Sequence, residues 1–343
     1  DLRDHYPWGL FAVPQAELSR IHASSGTRGK PTVVGYTRGD LEVWREVMAR
    51  SLAAGGAEPG QLIQIAYGYG LFTGGLGFHD GAEHMGLTVV PVSSGNTLRQ
   101  ILLLQDFRPQ GLACTPSFAL HIGESMREQG LDPRRVGLRY GLFGAEPWTD
   151  AMRRQLEALW AIVAVDFYGL SEIIGPGVAV ECAEARQGLH IAEDHFLPEV
   201  IDPASGEPLP AGAEGELVLS CLTKEGLPMI RYRTGDVTSL DPEPCACGRT
   251  SIRMARIKGR SDDMLVIKGV NVYPSQLEAA LLTESDLAPH YQLMVDRSQG
   301  FPTISVHVEP TPERVSEWGG FGSRRPEVAV LAPRVGGLLR GHL

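Results

Sequence analysis

The chain has 343 residues, with 31 Lys+Arg against 41 Asp+Glu for a formal charge of −10, and 43% of its residues are hydrophobic. It is too apolar for disorder, too acidic for an electrostatic nucleic-acid binder, and has no apolar run of about 18 residues to span a bilayer; about two domains fit the length. Five cysteines, Cys114, Cys182, Cys221, Cys245 and Cys247, are too few and odd in number for a secreted disulfide framework, so a reducing, cytoplasmic setting is expected. The first residues carry neither a signal pattern nor an initiator Met, and the start reads as internal to a longer protein.

From residue 40 short apolar runs alternate with amphipathic segments, which predicts an α/β sheet covered by helices. Strands are predicted at Leu62–Tyr67, Thr88–Val92, Gly111–Cys114, Leu138–Phe143 and Ile162–Phe167. Helices are predicted at Asp40–Ala54, Leu98–Asp106, Pro116–Gln129 and Asp150–Trp160, the last with Thr149 as N-cap. Near Val200 the texture changes to strand-like pieces between Pro/Gly/Asp turns, a β-rich subdomain over about residues 178–255. A basic stretch, Arg256–Asp263, leads into Met264–Val272 and a helix pattern from Pro274 to Leu282. The expected fold is therefore a large layered α/β domain over residues 1–260, followed by a small, incomplete α+β C-terminal domain over 261–343 whose tail, 316–343, is atypical.

The segment Ser24-Ser25-Gly26-Thr27-Arg28-Gly29-Lys30-Pro31-Thr32 can turn backbone N–H groups and hydroxyls toward phosphate oxygens, while Lys30, Arg28 and a folded-back Arg38 supply charge. It is not a Walker A loop, because Ser24 and Pro31 stand where that motif needs Gly and a hydroxyl. A Gly/Ser loop of this kind is as readily an ordinary turn. Cys182, His190, Cys245 and Cys247 make three thiolates and one imidazole, a closed tetrahedral Zn²⁺ set that would staple the β-rich region. Cys114 and Cys221 lie in strand-like runs and are expected as buried hydrophobes.

The loop does not stand alone. The string from Ile21 to Tyr36 resembles the phosphate loop of the adenylate-forming ligases, the phenylacetate-CoA ligase branch in particular. Gly144-Ala145-Glu146-Pro147 resembles that family's adenine-side turn, and Asp166-Phe167-Tyr168-Gly169-Leu170-Ser171-Glu172 its aromatic-hydroxyl-acid motif. Arg231-Tyr232-Arg233-Thr234-Gly235-Asp236 is similar to its ribose motif and Gly259-Arg260-Ser261-Asp262-Asp263 to its hinge.

This resemblance implies an acid–thiol ligase that uses ATP, Mg²⁺ and coenzyme A to activate phenylacetate or a related arylacetic acid. Ser24, Ser25, Gly26, Thr27, Gly29 and Lys30 would hold the β/γ-phosphates, Tyr168 would stack on adenine, Ser171 would face the α-phosphate and Glu172 would bind Mg²⁺. Asp236 would accept the ribose hydroxyls, Arg260 would contact the nucleotide, and Asp262 would be the pivot that brings Lys268, Gly269 and Asn271 toward coenzyme A. Tyr67, Phe72, Ala145, Phe167 and Pro176 would wall the acid pocket, with Phe167 narrowing it where the family usually has Ile. A homodimer is implied too.

Two departures leave alternatives open. Arg28 replaces the family's usual second threonine, and no lysine follows Lys268, although these ligases carry one near the C-terminus for adenylation. Impaired activity is thus expected, and the competing readings are a decayed nucleotide- or acyl-adenylate-binding relative, or an adenylate former for another aromatic acid or a deazaflavin coenzyme.

Overall fold

The computed structural model describes residues 2, 4–24, 31–261, 265–267, 270–272, 277, 280, 281, 284–296 and 303–318. A hairpin of β1 (Arg20–Ala23) and β2 (Val33–Tyr36) pairs Ala23 with Val33. Helix α1 (Arg38–Ala54) follows, and Thr37 and Asp40 close a capping box: the Asp40 N–H donates to Thr37 Oγ1 at 3.0 Å and the Thr37 N–H to Asp40 Oδ2 at 2.9 Å. The capping hydroxyl starts the helix two residues before the predicted Asp40.

A nine-stranded sheet carries the larger part of the chain. Its parallel strands are β3 (Leu62–Ile65), β4 (Thr88–Pro91), β5 (Gly111–Cys114), β6 (Tyr140–Gly144) and β7 (Val163–Leu170), in the order β4-β3-β5-β6-β7. Four antiparallel strands extend it: β8 (Gly175–Glu181), β9 (Leu189–Ile191) and the two-residue pieces β13 (Leu240–Asp241) and β14 (Arg253–Met254), with β13 at the edge. Helices α3 (Thr97–Phe107), α4 (Pro116–Glu128) and α5 (Asp150–Trp160) connect the parallel strands. Thr149 caps α5 as expected, accepting from the Met152 N–H at 3.2 Å. Leu112, Phe143, Leu156 and Trp160 are buried in one apolar cluster between this sheet and α4 and α5.

Sequence reading missed α2 (Gly74–Met85), because four glycines in twelve residues argue against a helix. Two of them face α1. A Cβ on Gly77 would stand 2.6 Å from the Trp44 ring and one on Gly81 2.3 Å from Met48 Cβ, so the missing side chains let α2 lie against α1.

The predicted β-rich region is divided. β10 (Phe196–Ile201), β11 (Gly215–Cys221), β12 (Tyr232–Thr238) and β15 (Gly259–Arg260) form a separate four-stranded sheet, whereas β8, β9, β13 and β14 belong to the large one. Two-residue strands are too short to show a hydrophobic period, which is why their partners were not legible.

The chain divides into two compact units, the larger of residues 1–234 and 238–256 and the smaller of residues 235–237 and 257–343. In the smaller unit β16 (Leu265–Ile267) pairs with β17 (Val270–Val272), and β18 (Leu287–Asp296) with β19 (Thr303–Pro310), followed by a helix at Pro312–Glu317. Trp318, placed in the atypical tail by its glycine-rich context, packs against Leu281 and Leu287. Among the described residues no helix is long and apolar enough to cross a membrane.

Candidate active site

Three carboxyl ends of sheet strands come together in the larger unit. β6 ends at Gly144, whose Cα cannot carry a side chain because a Cβ would stand 2.5 Å from the Phe167 carbonyl oxygen of β7. Ala145 follows with φ +66°, a left-handed conformation that L side chains rarely adopt and that turns the chain sharply at the strand end. Glu146 fixes the turn from outside, its Oε1 accepting the Ser117 N–H at 2.7 Å. Ligands of open α/β sheets bind beyond such strand ends.

β7 shifts register between Tyr168 and Gly169, a bulge that re-aims the following residues. Gly169 there is enclosed by backbone: a Cβ would lie 2.0 Å from the Gly175 carbonyl oxygen. The next turn, Ser171–Ile174, has all four of its carbonyls captured by two buried side chains. Tyr36 Oη donates to Ser171 O at 3.3 Å and Ile174 O at 3.0 Å, and Lys224 Nζ donates to Glu172 O at 3.2 Å and Ile173 O at 2.7 Å. Burial lowers the Lys224 pKa to about 8, and burial raises that of Tyr36, so the phenol remains a donor. Ser171 is buried with its Oγ 3.1 Å from Thr73 Oγ1, while Glu172 is half-buried.

Behind the motif runs a buried ionic network. Arg153 donates to both Glu181 oxygens, at 2.8 and 2.6 Å, and Glu181 Oε2 also accepts the Asp166 N–H at 2.9 Å. Arg256 stands 3.3 Å from Asp166 and 3.7 Å from Glu181, its guanidinium 4.8 Å from the Trp148 ring. Burial, with the Glu181 carboxylate adding to it, pushes the Asp166 pKa up to about 8.

Of the expected acid-pocket residues, Tyr67 and Phe167 meet edge to face at 5.8 Å, and Phe78, absent from the sequence reading, joins them at 5.4 and 4.9 Å. Tyr67 Oη donates to the carbonyls of Cys114 and Gly144, so the ring is fixed and its hydroxyl occupied. Ala145 stands at the same strand end. Phe72 is 42% exposed beside Gly74, and Pro176 packs on Trp44, whose Nε1 donates to its carbonyl at 2.8 Å.

Of the six residues expected to hold the phosphates only Ser24 is described: its N–H donates to Thr32 O at 2.9 Å and its Oγ accepts the Thr32 N–H at 3.3 Å. Ser25, Gly26, Thr27, Arg28, Gly29 and Lys30 lie outside the described residues, as do Asp262, Lys268 and Gly269. In the smaller unit Asp236 and Arg260 are cross-strand partners, Arg260 Nη1 standing 3.3 Å from Asp236 Oδ1. Arg231 and Arg233 of the ribose motif are ion-paired to Glu199 and to the buried Glu216.

The AMP-binding enzyme profile matches residues 17–221, and the AMP-binding enzyme C-terminal domain profile matches 269–326. The chain belongs to the AMP-binding enzyme family. The C-terminal match runs to residue 326, into the tail of 316–343 expected to be atypical. Phenylacetate-coenzyme A ligase of Thermus thermophilus is 59% identical over 309 residues, covering 90% of this chain and 69% of that protein. The Escherichia coli K12 enzyme of the same name is 54% identical over 310 residues, covering 90% and 70%. Among solved structures, 2-hydroxyisobutyryl-CoA ligase in its postadenylation state with 2-HIB-AMP superposes with a TM-score of 0.88 at 28% identity, covering 96% of this chain and 69% of that one. The layered α/β fold of this AMP-binding enzyme is thus that of adenylate-forming CoA ligases.

Sequence reasoning missed Tyr36, Lys224, Thr73 and Arg256. Lys224 left a signal as one of only four lysines in the chain.

Proposed function

We propose that this AMP-binding enzyme is an acid–thiol ligase that converts phenylacetate, ATP and coenzyme A to phenylacetyl-CoA, AMP and pyrophosphate. The observation that carries the reading is the 53–59% identity over about 90% of the chain to four phenylacetate-coenzyme A ligases. A carboxylate oxygen attacks the α-phosphorus, the bond to pyrophosphate breaks, and the coenzyme A thiolate then displaces AMP from the acyl carbon.

Negative charge builds on the phosphoryl oxygens in the first step, so donors fixed in advance lower the barrier most. The Ser171–Glu172 turn suits this role because its backbone is held on four carbonyls and cannot collapse onto the substrate. Glu172, half-buried at that turn, offers the hard carboxylate oxygen Mg²⁺ prefers; bound there, Mg²⁺ neutralises phosphate charge. Tyr168 would stack on adenine, Ser24 and Lys30 would take the outer phosphates, Asp236 would accept ribose hydroxyls, and Lys268 and Gly269 would meet coenzyme A. Tyr67, Phe78 and Phe167 supply apolar ring faces for the arylacetate side chain. Zn²⁺ has no step in this chemistry, since Cys182 leaves β8 at the end remote from Ser171. A homodimer belongs to the same reading and is tested by sedimentation.

Incubation with ATP, Mg²⁺, coenzyme A and a panel of aromatic acids, followed by mass spectrometry, is the test, with phenylacetyl-CoA expected to form fastest. Thioester from another acid alone overturns the substrate assignment. ATP binding without thioester, either from ATP plus acid or from supplied phenylacetyl-adenylate, identifies a non-catalytic binder instead.

A further inference from the structure

A cluster outside the nucleotide chemistry has the form of a metal centre. Cys182 just after β8, His190 in β9, and Cys245 and Cys247 in the loop between β13 and β14 place four donor atoms within 4.8 Å of one another. All five cysteines of the chain are free thiols in this structure.

The spacing is metrical. Zinc bonds of about 2.3 Å to sulfur and about 2.0–2.1 Å to nitrogen, at the tetrahedral angle, require donor separations of about 3.8 Å between sulfurs and about 3.5–3.6 Å between sulfur and nitrogen. Cys182 Sγ lies 3.8 Å from Cys245 Sγ, and Cys247 Sγ lies 3.6 Å from His190 Nε2. The two distances match two opposite edges of such a tetrahedron.

The surroundings prepare the donors. His190 Nδ1 is 3.2 Å from Ser251 Oγ, which orients the ring so that Nε2 faces Cys247. The Arg186 N–H donates to the Cys182 carbonyl at 3.1 Å and the Cys245 N–H to the Arg249 carbonyl at 3.0 Å, closing the turns that carry these sulfurs. Three thiolates and a divalent ion sum to −1, and Arg249 supplies the compensating cation. Gly248, at φ +87° with open space where its Cβ would be, turns the chain so that both sulfurs of Cys245-Ala246-Cys247 serve one ion.

We infer that Cys182, His190, Cys245 and Cys247 bind one Zn²⁺ in a closed structural site. Four protein donors leave no open position for water, which separates a structural from a catalytic zinc. The ion closes a loop between residues 63 apart and fastens β13 and β14, whose two-residue pairings are weak by themselves, to the rest of the sheet. Arg256 lies two residues beyond β14, so the same fastening fixes the end of the larger unit.

Metal analysis of protein purified without added zinc is expected to give one zinc per chain, with Cys182, Cys245 and Cys247 protected from alkylation until a chelator is added. Cobalt substitution is expected to produce the visible bands and thiolate charge transfer of a tetrahedral site, lost in Cys247→Ser. Hydrogen exchange after chelation is expected to rise in residues 182–191 and 240–256 but not in β5 and β6. Zinc below a tenth per chain with no cobalt spectrum, stoichiometric iron or copper instead, or a Cys182–Cys245 disulfide in the native protein overturns the assignment. The wild-type cobalt and alkylation readouts decide the matter even if Cys247→Ser fails to fold.

Discussion

Lys224 Nζ lies 4.8 Å from the centre of the Tyr36 ring, and between them these two buried side chains hold every carbonyl of the Ser171–Ile174 turn. A cation over an aromatic face, desolvated, is stabilised by the ring quadrupole. Here it also spends its protons on backbone oxygens that have no ladder partner. The turn that presents Ser171 and Glu172 is thereby set by residues distant in sequence from it.

Lys224→Met removes the donor while keeping the bulk, leaving the Glu172 and Ile173 carbonyls unsatisfied. Adenylate formation is expected to fall on the order of 10²-fold, as for a displacement of about 1 Å at a reacting centre. Pre-steady-state pyrophosphate release measures it.

The same lysine carries a pH signature. Its folded pKa, about 8, is below its ordinary 10.5, so between those values the unfolded chain binds more protons and stability rises with pH. Below pH 8 both states are charged and the burial penalty is constant. Denaturant midpoints from pH 7 to 10 are expected to show this rise in the wild type and to lack it in Lys224→Met.

Glu181 neutralises Arg153, whose side chain is almost wholly inside the protein. Glu181→Gln leaves that guanidinium only the exposed Asp150 carboxylate, 3.9 Å away, and leaves Asp166 and Arg256 to rearrange. A loss of about 3–5 kcal/mol in unfolding free energy is expected, measurable by urea titration.

Gly81→Ala introduces a methyl against Met48 Cβ and must push α2 off α1. The expected cost is about 1–3 kcal/mol in stability, with Km for ATP unchanged, because the contact lies away from the strand ends.

Glu172→Gln tests the proposed Mg²⁺ ligand. Adenylation is expected to drop about 10²–10³-fold and the Mg²⁺ requirement to shift upward, while thioester formation from supplied phenylacetyl-adenylate changes little.

Much of this was local and therefore legible. Apolar periods located the five parallel strands and α1, α3, α4 and α5, and Thr149 marked the start of α5 because a cap bonds only its own helix's first turn. The motif strings around Gly144, Tyr168 and Asp236 carried the resemblance to nucleotide-using ligases, and the cysteine and histidine types made a metal set an expectation.

Tertiary structure alone decided which distant groups would meet. No period reveals that glycines in α2 make room for Trp44 and Met48, or that the two-residue strands β13 and β14 complete the large sheet and not a separate one. Phe78 and Phe167 became neighbours only through helix-on-sheet packing. Likewise, the carbonyls of Ser171–Ile174 are identical backbone atoms in any sequence; their need for donors arises only when the turn is buried, and Tyr36 and Lys224 answer it from 135 and 52 residues away.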